Sequence, residues 1–301
     1  MSEVYPTLTA LFTDIADAIR ETTEDTDLII ADDFPYVIRD RLKAKVPKAS
    51  LTAQSGVSYT NGINGLEVDV ISLFSAAISN NSGITNETSV VYLDYGNIHR
   101  KVNIGDQVTL SLNGTGYAFD IIGFNHDTLT NAAAYGEQTA TGKAGITFQM
   151  HDLFATTYKM NSTNTNSGGW KSSAMRTSTM ETIMGYMPIA WQAAIKPVNK
   201  ASGTGGGSSS GTETVSDSCF LLAEIEIFGS TGLSVSGEGT QYAYYKAGNS
   251  KVKNESGSAA RWWGRSPSSG ESDRFFFVTS NGGEGDSLAG NNRGVAFGFC
   301  V

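Results

Sequence analysis

The chain has 301 residues, 40% of them hydrophobic, with a formal net charge of −9 at pH 7 and a pI of about 4.9. That is enough apolar material for one large domain or two ordinary ones, and too much for global disorder. No basic patch of the kind phosphate binding needs is visible, so nucleic acid is not an expected partner and an anionic membrane surface is disfavoured.

The opening "MSEVYPTLTALF" lacks a basic n-region, so no secretory signal is expected, and no apolar run approaches the ~20 residues of a membrane span. Residues 1–48 are predicted to form two helices. In the first, Leu8, Leu11, Phe12, Ile15, Ala18 and Ile19 fall at i, i+3, i+4 spacing. In the second, Asp32 or Asp33 caps a short helix with Pro35 in its first turn, apolar positions Phe34, Val37, Ile38 and Leu42, and Pro47 closing the unit. Two short helices bury little by themselves, so this region is expected to attach to other chains or to oligomerise. Residues 49–87 form a connecting region; "VDVISLFSAAIS" fits a helix or a buried strand, and its length favours the helix. "NNSGITNET" is a turn cluster and a boundary.

From Thr88 the pattern changes. "TSVVYLDYG" and "QVTLSLNGTGYAFDIIGFNHD" read as strands, with "NGTG" as a hairpin turn. "ITFQMHDLFATTYKM" reads as a strand running into a helix, and "TNTNSGGW" as a loop. "KSSAMRTSTMETIMGYM" reads as a helix capped by Ser172 or Ser173, with Met175, Met180, Ile183 and Met184 inward. Pro188 starts a further short helix, "PIAWQAAIK". "NKASGTGGGSSSGTETVSD" reads as a flexible excursion within one domain, "SCFLLAEIEIFG" as a buried strand, and the terminal "GVAFGFCV" as a central strand.

Reactive chemistry is sparse. His99, His126 and His151 are widely spaced and form no HExxH or HxxxH pair, so no metal site is expected. No GxSxG elbow, P-loop or dinucleotide fingerprint occurs, so neither a catalytic residue nor a cofactor is expected. "GGEGDSL" at 282–288 lacks one spacer of the calcium-binding nonapeptide repeat and occurs once, where stacking needs many copies. Cys219 and Cys300 cannot build a disulfide framework; two buried free thiols are the expectation, with a single bridge as the alternative.

Three motifs then occur in order: "GGWKSSAMR" at 168–176, "RWWGRSP" at 261–267 and the terminal "GVAFGFCV". As an ordered set over roughly residues 88–301, they resemble the variable proteins of diversity-generating retroelements carried by phages and prophages. Those proteins have a C-type-lectin-like domain related to the formylglycine-generating enzyme type. "FTDIADAIRETTEDTDLIIADDFPYVIRDRL" separately resembles a helical segment of tail proteins from phages of Gram-positive bacteria. The resemblance implies an α+β, C-type-lectin-like fold with short twisted strands, two or more helices and long loops at 88–301, preceded by the small helical N-terminal region. It also implies a variable region at about 261–293.

Within that region the expected frame is Trp262, Trp263, Arg265, Pro267 and Phe275, joined by Trp170, Arg176, Phe297 and Phe299. The expected display positions are Gly264, Glu271, Ser272, Asp273, Arg274, Phe276, Phe277, Thr279, Glu284, Asp286, Leu288, Asn292 and Arg293. One of Phe276 and Phe277 is expected in the core, because successive strand side chains face opposite ways. Aromatic and Arg anchors among adaptable Gly, Ser and Asn are the chemistry of binding loops. The function implied is a tail-associated receptor-binding protein that meets a bacterial surface protein or glycan. It would attach to other tail proteins through its N-terminal region, as a homo-oligomer such as a trimer, with the virion tail as its place after lysis. Two other classes stay open: a structural tail or baseplate component, and a relative of the formylglycine-generating enzyme, which would need a reactive cysteine pair.

Overall fold

The computed structural model describes residues 58–59, 78–79, 84, 88–95, 98–139, 142–207 and 211–301. The helices expected in residues 1–48 lie outside them, as do most of 49–87. The chain divides into two compact units, and the larger takes in Thr52–Ser58 and Val68–Val301. Its architecture is mixed α+β, made of small antiparallel sheets with few and short helices.

After a two-residue strand at Ser58–Tyr59 come β1 (Ile78–Ser79), β2 (Val90–Tyr95) and β3 (Ile98–Asn103), which pair in that order. β1 occupies the end of "VDVISLFSAAIS", so those two residues are strand where a helix was expected; the rest of that stretch lies outside the described residues. Next come β4 (Gln107–Leu112) and β5 (Thr115–Phe124), joined by the expected tight turn. Asn113 and Gly114 supply the two positive φ values, 47° and 85°, that a two-residue hairpin matching strand twist requires. β4 alternates half-buried and buried residues, as a strand with one face on a core should. β6 (Ile146–Met150) adds to β5, and β14 (Gly298–Cys300) adds to β6. β14 closes the sheet order instead of lying at its centre as the terminal "GVAFGFCV" suggested; beyond it there is a single bridge, Phe220 to Gly298. Phe119, Phe148, Trp191, Phe297 and Phe299 interlock over this sheet with ring centroids 5.3–6.0 Å apart.

No helix follows β6. The backbone of the 153–160 segment bonds instead to the C-terminal part of the chain: Phe154 N to Val295 O, Tyr158 N to Arg293 O and Met160 N to Ala289 O, at 2.9–3.0 Å. Long-range pairing thus takes the donors a helix would have used, and Thr156 and Thr157 are β-branched residues that resist helix formation. The helical stretch after "TNTNSGGW" is broken into α1 (Gly169–Ser172), a π-turn (Met175–Thr179) and α2 (Met180–Gly185). Ser173 caps as expected, its Oγ accepting the Arg176 N–H. Met175, Met180 and Ile183 are buried, while Met184 is half-buried and Met187 takes the inward place instead. α3 (Ile189–Ala194) starts from Pro188.

Two further expectations fail for an identifiable reason. The "NKASGTGGGSSSGTETVSD" stretch holds a regular hairpin, β7 (Val198–Gly203) with β8 (Thr212–Asp217), in six register pairs. Its inward residues include Lys200 and Ser202, which read as polar loop in sequence but are buried and bonded. In "SCFLLAEIEIFG", Cys219–Ala223 is buried with a single bridge at Phe220, but Glu224–Phe228 is a helix, α4. Glu226 Oε2 accepts the Ala223 N–H, the reciprocal half of a capping box, and Gly229 ends the turn at φ 75°. α5 (Ala243–Lys246), the small ribbon β9 (Lys253–Glu255) with β10 (Ser258–Ala260), and the sheet β11 (Trp262–Pro267), β12 (Arg274–Val278), β13 (Glu284–Leu288) complete the unit.

Candidate functional site

Residues 261–293 are organised by the β11–β12–β13 sheet. Trp262 pairs with Val278 and Trp263 with Phe277, but the next pair is Pro267 with Phe275. The intervening Gly264, Arg265 and Ser266 form a bulge opposite Phe276. A bulge re-aims a side chain, and here it belongs to the strand whose Arg265 is completely buried. Its guanidinium donates to Glu226 Oε1 and Oε2 at 2.9 and 2.5 Å and to the carbonyls of Ala201, Leu221 and Glu238 at 2.7–3.1 Å.

Arg265 is one end of a buried ionic chain. Lys200 Nζ bonds Glu226 at 2.8 Å, Asp127 at 2.7 Å and the Tyr242 hydroxyl at 3.0 Å. Burial pushes the Glu226 and Asp127 carboxyls up, but the neighbouring cations outweigh it. Arg265 and Lys200 hold Glu226, and Lys200 holds Asp127, below the usual carboxylate range. Glu224 is likewise enclosed: it accepts the N–H groups of Gly232, Leu233 and Ser234 and the Ser234 hydroxyl. Each buried charge therefore has partners, as its desolvation demands.

Of the nine residues expected as frame, Arg176 is half-buried. Trp170, Trp262, Trp263, Arg265, Pro267, Phe275, Phe297 and Phe299 are buried. Trp170 Nε1 and Arg176 Nε both donate to Asp217, at 2.7 Å each. The display set divides. Glu271, Ser272, Glu284 and Asn292 are exposed, and Asp273, Arg274, Thr279, Asp286, Leu288 and Arg293 are half-buried.

Gly264, Phe276 and Phe277 are inside the protein and leave the display set. Gly264 is packed so closely that a Cβ would meet Phe276 Cδ1 at 2.3 Å and Leu222 O at 2.9 Å. Phe276 meets Phe228 edge-on, while Phe277 meets Trp263 edge-on and carries the Arg261 and Arg293 guanidiniums near its ring. The sheet is thus covered on both faces, so strand alternation does not separate a core Phe from a displayed one.

Some polar display residues bond one another and others bond their neighbours, as Arg293 does Ser287 Oγ and Thr279 does Asn281. Arg274 pairs with Asp286 at 3.2 Å and with Asp273 at 3.6 Å. The Glu284 carboxyl is pushed up by partial burial and by the nearby Glu224 carboxylate. The loop that carries Glu271–Arg274 is held from outside by Asn166, whose Nδ2 donates to the carbonyls of Ser268, Glu271 and Arg274, while its Oδ1 accepts the Gly206 N–H. Asn166 was read only as part of a loop. Its burial inside a Gly/Asn/Ser stretch has no sequence signature.

Of the histidines, His151 Nδ1 lies 3.0 Å from the Asp120 carboxylate, and that hydrogen bond raises its pKa. His126 stacks on Tyr242 and is lowered by burial. His99 has its side chain outside the described residues. Among the described residues, no group of three or more His, Cys, Asp or Glu is arranged to hold a metal. Cys219 and Cys300 are free, buried thiols. Burial, with Asp217 beside one and Asp127 beside the other, pushes both well up, away from the reactive thiolate.

Residues 144–301 match the family model of a domain of unknown function, DUF6273. The chain belongs to the DUF6273 family. No curated protein and no solved structure matches it. The DUF6273 span opens two residues before β6 and includes every frame and display position, together with Asn166, Lys200 and Glu226. Strands β4 and β5, which belong to the same sheet as β6, precede the DUF6273 span. Among the described residues no helix is long and apolar enough to cross a membrane.

Proposed function

We propose that this protein is a tail-associated receptor-binding protein of a phage or prophage, whose C-terminal unit is a C-type-lectin-like scaffold displaying a diversified surface to a bacterial protein or glycan. The observation that carries the reading is the division inside residues 261–293. The large side chains and Arg265 are buried and anchored to residues outside the segment, whereas Glu271, Ser272, Asp273, Arg274, Glu284 and Asp286 are exposed or half-exposed. Such a surface can change without touching the core. It binds by contact and makes no bond; two buried thiols with raised pKa values support that over the chemistry of a formylglycine-generating enzyme. The N-terminal region would provide attachment to the tail and assembly of a homo-oligomer, for which a trimer is our expectation. Avidity would then compensate for weak single sites.

The test is a joint replacement of Glu271, Asp273, Arg274, Glu284 and Asp286 in the full chain, with binding to a panel of bacterial cells measured beside thermal unfolding. A changed target range at nearly unchanged stability supports the reading. A collapse of the melting temperature, or an unchanged target range, refutes it. In the flanking DNA, a template repeat differing from codons 261–293 chiefly at adenines distinguishes a diversified protein from a fixed baseplate component.

A further inference from the structure

Arg261 and Arg293 differ from four of the cations around the site. Lys200, Arg265, Arg176 and Arg274 all face carboxylates. Arg261 and Arg293 instead converge on one aromatic ring: their guanidinium carbons lie 5.8 and 5.2 Å from the centre of Phe277, and Arg293 is also 6.0 Å from Trp263. Among the described residues neither forms an ion pair, in a chain whose formal charge is −9. Burial depresses the Arg293 pKa and the like charge of Arg261 depresses it further, with no acid raising it.

The two cannot easily separate. Gly294 N donates to Arg261 O at 2.9 Å, Trp263 N donates to Gly294 O at 3.0 Å, and Arg293 exchanges two backbone bonds of 3.0 Å with Tyr158. The backbone therefore fixes both arginines beside each other and beside Tyr158. The ring beneath them is fixed too, because Phe277 packs over Gly285, where a Cβ would come within 2.7 Å of the ring.

The donors are only partly used. Of the five N–H groups of a guanidinium, Arg293 spends one on Asn292 O and one on Ser287 Oγ, each at 3.0 Å. Its Nε has no hydrogen-bond partner. Two like charges beside one aromatic ring, Arg261 exposed and Arg293 half-buried, with planar donors left over, match an oxyanion, which would relieve their repulsion and accept paired N–H bonds.

We propose that Arg261 and Arg293 form an oxyanion-binding site that takes a carboxylate or sulfate group of the ligand. The assignment of that anion to the receptor rests on the display reading above; the site itself does not. It makes an acidic glycan or acidic protein side chain the feature this surface selects.

The experiment is an NMR titration of the full chain, following arginine Nε–H signals. Sodium glucuronate and sodium sulfate are the probes, with glucose as the neutral control and sodium chloride holding the ionic strength constant. The expected result is a saturable shift of the Arg261 and Arg293 signals with at least one oxyanion. Glucose should produce none, and affinity should fall about tenfold or more in Arg261→Gln and in Arg293→Gln. The stronger of the two probes distinguishes a carboxylate from a sulfate site. Arg261 is exposed, so Arg261→Gln keeps the test intact even if Arg293→Gln disturbs the fold. Absence of saturable shifts, equal shifts with glucose, or unchanged affinity in Arg261→Gln overturns the proposal. Saturable oxyanion binding beside a loop swap that leaves cell binding unchanged would uphold the site and refute the display reading.

Discussion

Gly264→Ala is the sharpest perturbation of the frame. The new methyl carbon would lie 2.3 Å from Phe276 Cδ1, 2.7 Å from Phe276 Cε1 and 2.9 Å from Leu222 O. Carbon contacts are optimal near ~3.5–4.0 Å, so the ring must withdraw by more than about 1 Å or the strand must move. Neither has room: Phe276 is fully buried against Phe228, and Leu222 O is fixed by the Arg265 N–H at 2.9 Å. The cost belongs at the upper end of the ~1–3 kcal/mol expected for overpacking. For a unit of this size each kcal/mol moves Tm by roughly 2–4 °C, so about 3 kcal/mol lowers it by roughly 6–12 °C. Urea unfolding followed by tryptophan fluorescence measures the difference, with Ser272→Ala as the exposed control within about 0.5 kcal/mol. If Gly264→Ala were as stable as that control, the bulge would be loose enough to vary and the boundary between frame and surface would be drawn in the wrong place.

Trp262→Ala removes a fully buried indole whose Nε1 donates to Lys251 O at 3.0 Å, and should cost about 3–5 kcal/mol in the same unfolding assay; a loss below about 1 kcal/mol would show that the indole is not structural. His151 should titrate above its ordinary value by NMR, and Asp120→Asn should bring it back down, because the carboxylate favours the imidazolium. The stabilising effect of this pair is present below the unfolded-state pKa of about 6.5 and is lost as pH rises through the higher folded value. An unchanged His151 titration in Asp120→Asn would contradict the assigned hydrogen bond.

What was legible in the sequence was whatever the apolar pattern encodes directly. β2, β4 and β5 followed from alternation and from Asn113-Gly114, and burial of Trp262, Trp263, Phe275, Phe297 and Phe299 followed from their size, whereas Phe276 and Phe277 stood among the expected display positions and are both inside. Hidden were the elements whose inward side chains are polar. Lys200 and Ser202 made β7 resemble a flexible loop, and Glu224 and Glu226 interrupted an apolar run whose second half is a capped helix. Those residues are inside only because partners distant in sequence meet them, such as Asp127 73 residues from Lys200 and Glu226 39 residues from Arg265. Asn166 is the same case, reaching Arg274 across 108 residues. Glycine misled in the opposite direction: Gly264 was expected at the displayed surface, yet it is a close-packing position, with a Cβ there meeting Phe276 Cδ1 at 2.3 Å.

On the display reading we propose, the distribution of bonds explains how one segment could be both a core and a replaceable surface. Stability must not depend on the side chains that change, so the fixed points of residues 261–293 have to be reached from elsewhere. They are: Asn166 holds three carbonyls of the 268–274 loop, Glu226 and Glu238 hold Arg265, and Glu238 also takes the Ser266 hydroxyl. Main-chain carbonyls exist whatever residue occupies a position, so the Asn166 contacts survive any replacement at Glu271 or Arg274. Arg265 is different, because its hold is through the guanidinium, and Lys cannot reproduce six hydrogen bonds with one ammonium. Position 265 must therefore stay arginine while position 274, whose guanidinium pairs only with Asp273 and Asp286 at the surface, is free to change together with them.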